Sequence, residues 1–118
     1  MGEAAKAIVP MDACEPNRID IGDANRAYLC ELFRLLGDDT RLRIVCALMG
    51  TEMCVAHLAE HLGLSQSAVS HQLKNLKNAS LVKFKRRGKN VVYSLDDDHI
   101  YAILCQAVEH AEHTRKGE

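Results

Sequence analysis

This chain of 118 residues lacks any apolar run approaching the roughly 20 residues that a membrane span requires, which argues against a membrane-embedded role. It also lacks a disulfide framework. Its five cysteines, Cys14, Cys30, Cys46, Cys54 and Cys105, are odd in number and show no framework spacing. The opening MGEAAKAIVPMDACEPNRID has two early charges and no long apolar stretch, so it does not read as an export signal. Free thiols in a reducing cytoplasm are therefore expected. No repeat and no low-complexity segment is present. The length suits one domain, and a hydrophobic content of 47% is enough for a core.

The most telling absence concerns one sign of charge. Residues 61–95 contain no Asp or Glu but seven basic side chains: Lys74, Lys77, Lys83, Lys85, Arg86, Arg87 and Lys89. Residues 1–60 hold six basic and ten acidic residues, and residues 96–118 hold two and six, so the net charge is only −1. An acid-free block of this length inside a slightly acidic chain points to a polyanion partner rather than a merely solvated face.

Residues 1–22, polar and carrying Pro10 and Pro16, read as a mobile N-terminal arm, and 23–118 as one domain. The spacing of Ala27, Leu29, Cys30, Phe33 and Leu36 predicts a helix from Asn25 to Leu36, stopped by Gly37. Asp39 and Thr40 offer a cap for a second helix running towards Gly50. A third, short helix covers Val55 to His61, and Gly63-Leu64-Ser65 forms a tight turn. Ser65 then caps a fourth helix over Gln66 to Asn78, with Ala68, Val69, Leu73 and Leu76 inward. Beyond it the period falls to two, in Leu81–Lys85 and Val91–Leu95, with a turn across Arg86–Asn90. A last helix runs from near Asp97 to about Thr114. Cys30, Cys46 and Cys105 fall in apolar helical patterns and read as core. The fold class is mainly α with a small β-hairpin: a winged helix-turn-helix, expected to be homodimeric.

The fourth helix would expose Gln66, Ser67, Ser70, His71, Gln72, Lys74 and Lys77. Its amide and hydroxyl groups can hydrogen-bond base edges or phosphates, and its lysines neutralise phosphates. Arg86, Arg87 and Lys89 at the hairpin tip would lie along the DNA backbone or minor groove.

Asp97, His99, His110 and His113 read Asp-x-His-x10-His-x2-His in the last helical segment. On an α-helix, His99 and His110 fall on one stripe within about 20°, but about 16 Å apart along the axis. One helix cannot bring them to one ion. Two copies packed antiparallel can, which implies a homodimer with two equivalent sites across its interface.

LFRLLGDDTRLRIVCAL, SQSAVSHQLKNLKNASLV with its basic hairpin, and DDDHIYAILCQAVEHAEH together resemble the ArsR/SmtB family of bacterial metal-responsive repressors, over residues from about 25 to 113. The resemblance implies a homodimer that binds operator DNA without metal and releases it with metal. Asp97 and His99 would come from one protomer, and His110 and His113 from the other. One carboxylate and three imidazoles suit Zn(II) or Co(II), while Ni(II), which would want more ligands, is less favoured. The resemblance also makes the outer N–H of His110 a candidate link to the DNA-reading unit. Asp96 and Asp98 read instead as helix-capping residues.

A second possible site, also implied by the resemblance, joins Cys54 and His57 to Cys14, with Asp12 or Glu15. It lacks the thiol-rich pattern of Cd(II), Pb(II) or As(III) sensors, since the pattern's second Cys is Ala56. A thiol-based metal or redox sensor using Cys14 and Cys54 is thus the alternative function. His57-Leu58-Ala59-Glu60-His61 matches the H-x-x-E-H run of inverted zinc peptidases. It falls on the first helix of the helix-turn-helix in a chain too small for a substrate cleft, so the expectation is not an enzyme.

Overall fold

The computed structural model describes residues 20–116. Most of the expected arm, with Asp12, Cys14 and Glu15, therefore lies outside the described residues. The elements are α1 (Asp23–Leu36), α2 (Asp39–Ala47), β1 (Met53–Cys54), α3 (Val55–Leu62), α4 (Gln66–Asn78), β2 (Val82–Arg87), β3 (Asn90–Leu95) and α5 (Asp98–Lys116). This is the expected winged helix-turn-helix, mostly helical with a small antiparallel sheet.

Helix α1 buries Leu32 and Leu35 rather than the stripe read from the sequence. Leu29 and Leu36 are half-buried, whereas Cys30 is exposed and Phe33 is 58% exposed. The helix is apolar on two sides, and only one packs on its own core. Helix α2 is capped by Asp38, not by Asp39 or Thr40. Asp38 has extended backbone angles, so its Oδ2 can accept the Arg41 N–H at 3.0 Å. The helix stops at Ala47, short of Gly50, whose φ of +73° belongs to the turn that follows.

The two-residue strand β1 was not expected. It pairs antiparallel with β3, Met53 with Tyr93 and Cys54 with Val92, in the sheet order β1-β3-β2. Across the hairpin, Arg87 pairs with Asn90, leaving only Gly88 and Lys89 in the turn. This is tighter than the five-residue turn read from the sequence. Gly88 has φ +62°, which two-residue hairpin turns of this kind need.

Between α3 and α4, Gly63 takes the left-handed conformation at φ +70°, and Ser65 Oγ accepts the Ala68 N–H at 3.1 Å. A serine cap of this kind stabilises a helix by about 1 kcal/mol. Val69, Leu73 and Leu76 point inward as expected, but Ala68 is exposed. With Ile44, Val45, Leu48, Leu58 and Leu81 they form the fully buried core, each such side chain contributing about 1.5–3 kcal/mol. Helix α5 joins this core through Ile100 and Leu104. It starts one residue after Asp97 and runs past Thr114 to Lys116. No helix among the described residues is long and apolar enough to cross a membrane.

Candidate nucleic-acid interface and metal centre

Burial of Val69, Leu73 and Leu76 fixes the opposite face of α4. Gln66, Ser67, Ser70, His71, Lys74 and Lys77 are all exposed there. An open cleft of about 540 Å³ separates this face from the hairpin, lined by Ser67, Ser70, His71, Lys74, Lys77, Asn78, Phe84 and Tyr93. The Phe84 and Tyr93 rings lie 5.7 Å apart, and Lys77 Nζ stands 5.1 Å from the Phe84 centroid, within reach of a cation–π attraction. The sequence reading passed over both aromatics. The signal available was Phe84 standing among lysines in a strand that is exposed after Val82.

Three of the expected DNA residues have hydrogen-bond partners within the chain: Ser67 Oγ lies 3.3 Å from Ser65 Oγ, and Gln72 and Arg87 are engaged by residues far off in sequence. Gln72 is half-buried, and its Oε1 accepts the Arg41 Nε–H at 2.8 Å, which ties α4 to α2. Arg87 forms an ion pair with Glu52, and Lys85 Nζ lies 3.6 Å from the same carboxylate. The Arg87 hydrogen bond is the main reason the Glu52 carboxyl is held below the usual range. Arg86 and Lys89 are exposed at the hairpin tip.

At the start of α5, Asp97 is the cap. Its Oδ1 accepts the N–H groups of His99 at 3.0 Å and Ile100 at 3.1 Å. The sequence reading gave capping to Asp96 and Asp98 instead. Asp98 is the first helical residue, and the Asp96 N–H donates to the Leu81 carbonyl at 3.0 Å. The other carboxylate oxygen of Asp97, Oδ2, stands 3.4 Å from His99 Nδ1. Desolvation pushes the Asp97 carboxyl up, but the Ile100 N–H, the His99 imidazole and the His99 N–H together outweigh it and leave it below the ordinary value.

His110 and His113 are exposed near the far end of α5. Among the described residues, no three His, Cys, Asp or Glu side chains gather closely enough to hold one ion. A single chain therefore presents two separate pairs. Around them α5 exposes Tyr101, Ile103 and Val108, and α1 exposes Tyr28 and Phe33.

Of the second candidate set, Cys54 is half-buried at the start of α3 and His57 is exposed on its first turn, while Cys14 lies outside the described residues. Cys46 and Cys105 are half-buried and Cys30 is exposed, so only part of the expected thiol core forms. Burial raises the Cys46 thiol. His57, Glu60 and His61 are exposed on α3.

Residues 38–83 match the profile described as "Bacterial regulatory protein, arsR family". The chain is 43% identical over 84 residues to the "Transcriptional repressor SmtB homolog" of Synechocystis, a match covering 71% of this chain and 64% of that relative, just under two thirds of its length. It is 41% identical over 91 residues to the "HTH-type transcriptional regulator NmtR" of Mycobacterium tuberculosis, covering 77% of this chain and 76% of that one. Among solved structures it resembles a "homodimeric winged helix-turn-helix DNA-binding domain" from Mycobacterium bovis, described as a possible ArsR-family regulator. The TM-score there is 0.69 at 26% identity, over 84% of this chain and 95% of that one. These relatives are transcriptional regulators, so H-x-x-E-H here is part of a helix-turn-helix and not of a peptidase. The chain belongs to the ArsR/SmtB family of bacterial metal-responsive transcriptional regulators.

Proposed function

We propose that this protein is a homodimeric repressor of the cytoplasm that holds operator DNA when metal-free and loses its grip when Zn(II) or Co(II) is bound. Helix α5 carries the reading. Its Asp97 Oδ2 and His99 Nδ1 are 3.4 Å apart at one end, His110 and His113 are exposed at the other, and nothing in the same chain among the described residues completes either pair. Two ligands at about 2.0–2.2 Å from one tetrahedral zinc ion stand about 3.3–3.6 Å from each other, so the Asp97/His99 pair fits a shared ion. A second copy lying antiparallel adds His110 and His113 of the partner subunit. The exposed apolar residues of α1 and α5 offer the surface for that pairing. A bound ion would supply a cross-link between protomers.

The DNA-facing work belongs to α4 and the hairpin. In this reading the exposed Ser67, Ser70 and His71 meet base edges or phosphates in the major groove, and Lys74, Arg86 and Lys89 meet the phosphate backbone. Two-fold symmetry calls for a near-palindromic site. If metal weakens DNA binding, DNA must weaken metal binding by the same factor, typically about 5–150-fold.

The alternative, a thiol site at Cys54 and Cys14, is separated by anaerobic Co(II) titration of the reduced protein. The C-terminal site gives bands of nitrogen and oxygen ligands without thiolate charge transfer, and the thiol site gives strong charge transfer. In parallel, His99→Ala and His110→Ala are expected to keep DNA affinity and lose metal-driven release. Wild-type release in both variants rejects the α5 site.

A further inference from the structure

Helix α4 closes with a Schellman ending: the Leu81 N–H donates to the Leu76 carbonyl at 2.9 Å, and the Ser80 N–H to that of Lys77 at 3.0 Å. The left-handed position of this motif usually takes glycine. Here it is Ser80, at φ +62°, alone among the described non-glycine residues in having positive φ. Leu76 and Leu81, on either side of the bend, are fully buried, so the strained corner is anchored in the core.

The carbonyls at such a corner have no helical partner. One of them, on Ala79, and the carbonyl of Leu81 just beyond the bend are taken by distant parts of the chain. The Tyr28 hydroxyl of α1 donates to Ala79 at 2.9 Å, across 51 positions of sequence. The Asp96 N–H donates to Leu81 at 3.0 Å. Asp96 adjoins Asp97, whose carboxylate caps α5 and stands beside His99. The Tyr28 phenol has its pKa raised first by burial, then by the charges of Asp96 and Asp97. The end of α4 is thus hydrogen-bonded to the middle of α1, and the residue just beyond its bend to the approach to α5.

We infer that Tyr28 is a positioning residue of the metal response: by gripping the Ala79 carbonyl at the Ser80 corner, it makes the direction of α4 follow the placement of α1 and of the Asp97/His99 pair. This rests on the reading of Asp97 and His99 as half of a metal site. Without the hydroxyl, α4 keeps its Schellman bonds and its core residues but loses its tie to α1. Tyr28→Phe removes only that donor and keeps the ring.

The test uses the reduced full-length dimer and a labelled duplex selected from random-sequence DNA by the metal-free wild type. DNA affinity is read by anisotropy with and without Zn(II), zinc affinity by chelator competition, and Tm by a thermal melt. For Tyr28→Phe, metal-free DNA affinity and zinc affinity are expected to stay within about twofold of wild type. Zinc-driven weakening of DNA binding falls from the typical range of about 5–150-fold to under about twofold. Ser80→Gly relieves the left-handed strain, so it lowers the response in the same direction while Tm holds or rises, opposite to a structural lesion. If Tyr28→Phe unfolds, Ser80→Gly carries the test alone. Wild-type weakening in Tyr28→Phe or Ser80→Gly, with His99→Ala unresponsive, overturns the role of the corner and leaves the metal site standing. A weaker response matched by an equal loss of metal-free DNA affinity also overturns it. Wild-type weakening in His99→Ala rejects the metal site and the inference together.

Discussion

Helices α4 and α5 are both amphipathic, but the described residues cover the apolar side of only one of them. Helix α4, 13 residues long, buries Val69, Leu73 and Leu76 and shows a polar face to the outside. Helix α5, at 19 residues, buries only Ile100 and Leu104 and leaves Tyr101, Ile103 and Val108 exposed. The apolar side of α4 is answered by its own protein. That of α5 stays partly exposed among the described residues, and the two pairs proposed to hold metal stand at its opposite ends. An apolar face left in water suits assembly, and donors that do not meet among the described residues fit the proposed metal site shared between two copies.

That contrast can be broken at several points. Leu73→Ala should have the largest effect, about 2–5 kcal/mol in denaturant unfolding, because it opens a cavity in a fully buried site. Folding, dimerisation and DNA binding should then fail together. Val108→Asp should act on α5 alone. A charge buried without a partner costs about 1–3 kcal/mol or more, so sedimentation should show monomers whose helical circular dichroism is unchanged. An undisturbed dimer would remove α5 from the interface.

Smaller effects are expected on the DNA side. Lys74→Ala should weaken DNA binding and reduce the slope of log K against log salt by about one. Arg87→Ala should reduce it less, since Glu52 already neutralises part of that charge, and Glu52→Gln should tighten binding by freeing Arg87 and Lys85. Equal slopes for Lys74→Ala and Arg87→Ala would deny Glu52 that influence. The smallest effect on metal-free stability belongs to Asp97→Asn, which retains a capping oxygen and forfeits the charge at the helix start, about 0.3–1 kcal/mol. Because folding lowers the Asp97 pKa, its contribution is present above the ordinary carboxylate value of about 3.9 and is lost as pH falls through the folded value. The Tm gap between wild type and Asp97→Asn should therefore close on acidification.

The fold was legible wherever a local pattern met a single environment. Ser65 announced α4, and the alternation after Leu81 announced the wing. Reading failed where one helix serves two surfaces: the apolar residues of α1 belong partly to the core and partly to the outside, and sequence spacing does not say which. It failed again at β1, because two residues carry no period and form a strand only through β3. Gln72 and Arg87 had the chemistry of DNA ligands, but Arg41 and Glu52, which engage them, lie 31 and 35 positions away. Asp97 was picked out for its spacing to the histidines. Its second task, capping α5, depends on backbone angles that composition does not reveal.

The short pairing of β1 with β3 has a mechanical consequence. Cys54 ends β1 and is the N-cap residue of α3, so the wing is fastened to the front of the helix-turn-helix instead of hanging from one hinge. If α4 and the wing take DNA as proposed, they are the two jaws of a caliper with a preset gap. A duplex would then have to offer a groove and backbone spacing that suit this gap, so the protein would gauge the shape of its target as well as its letters.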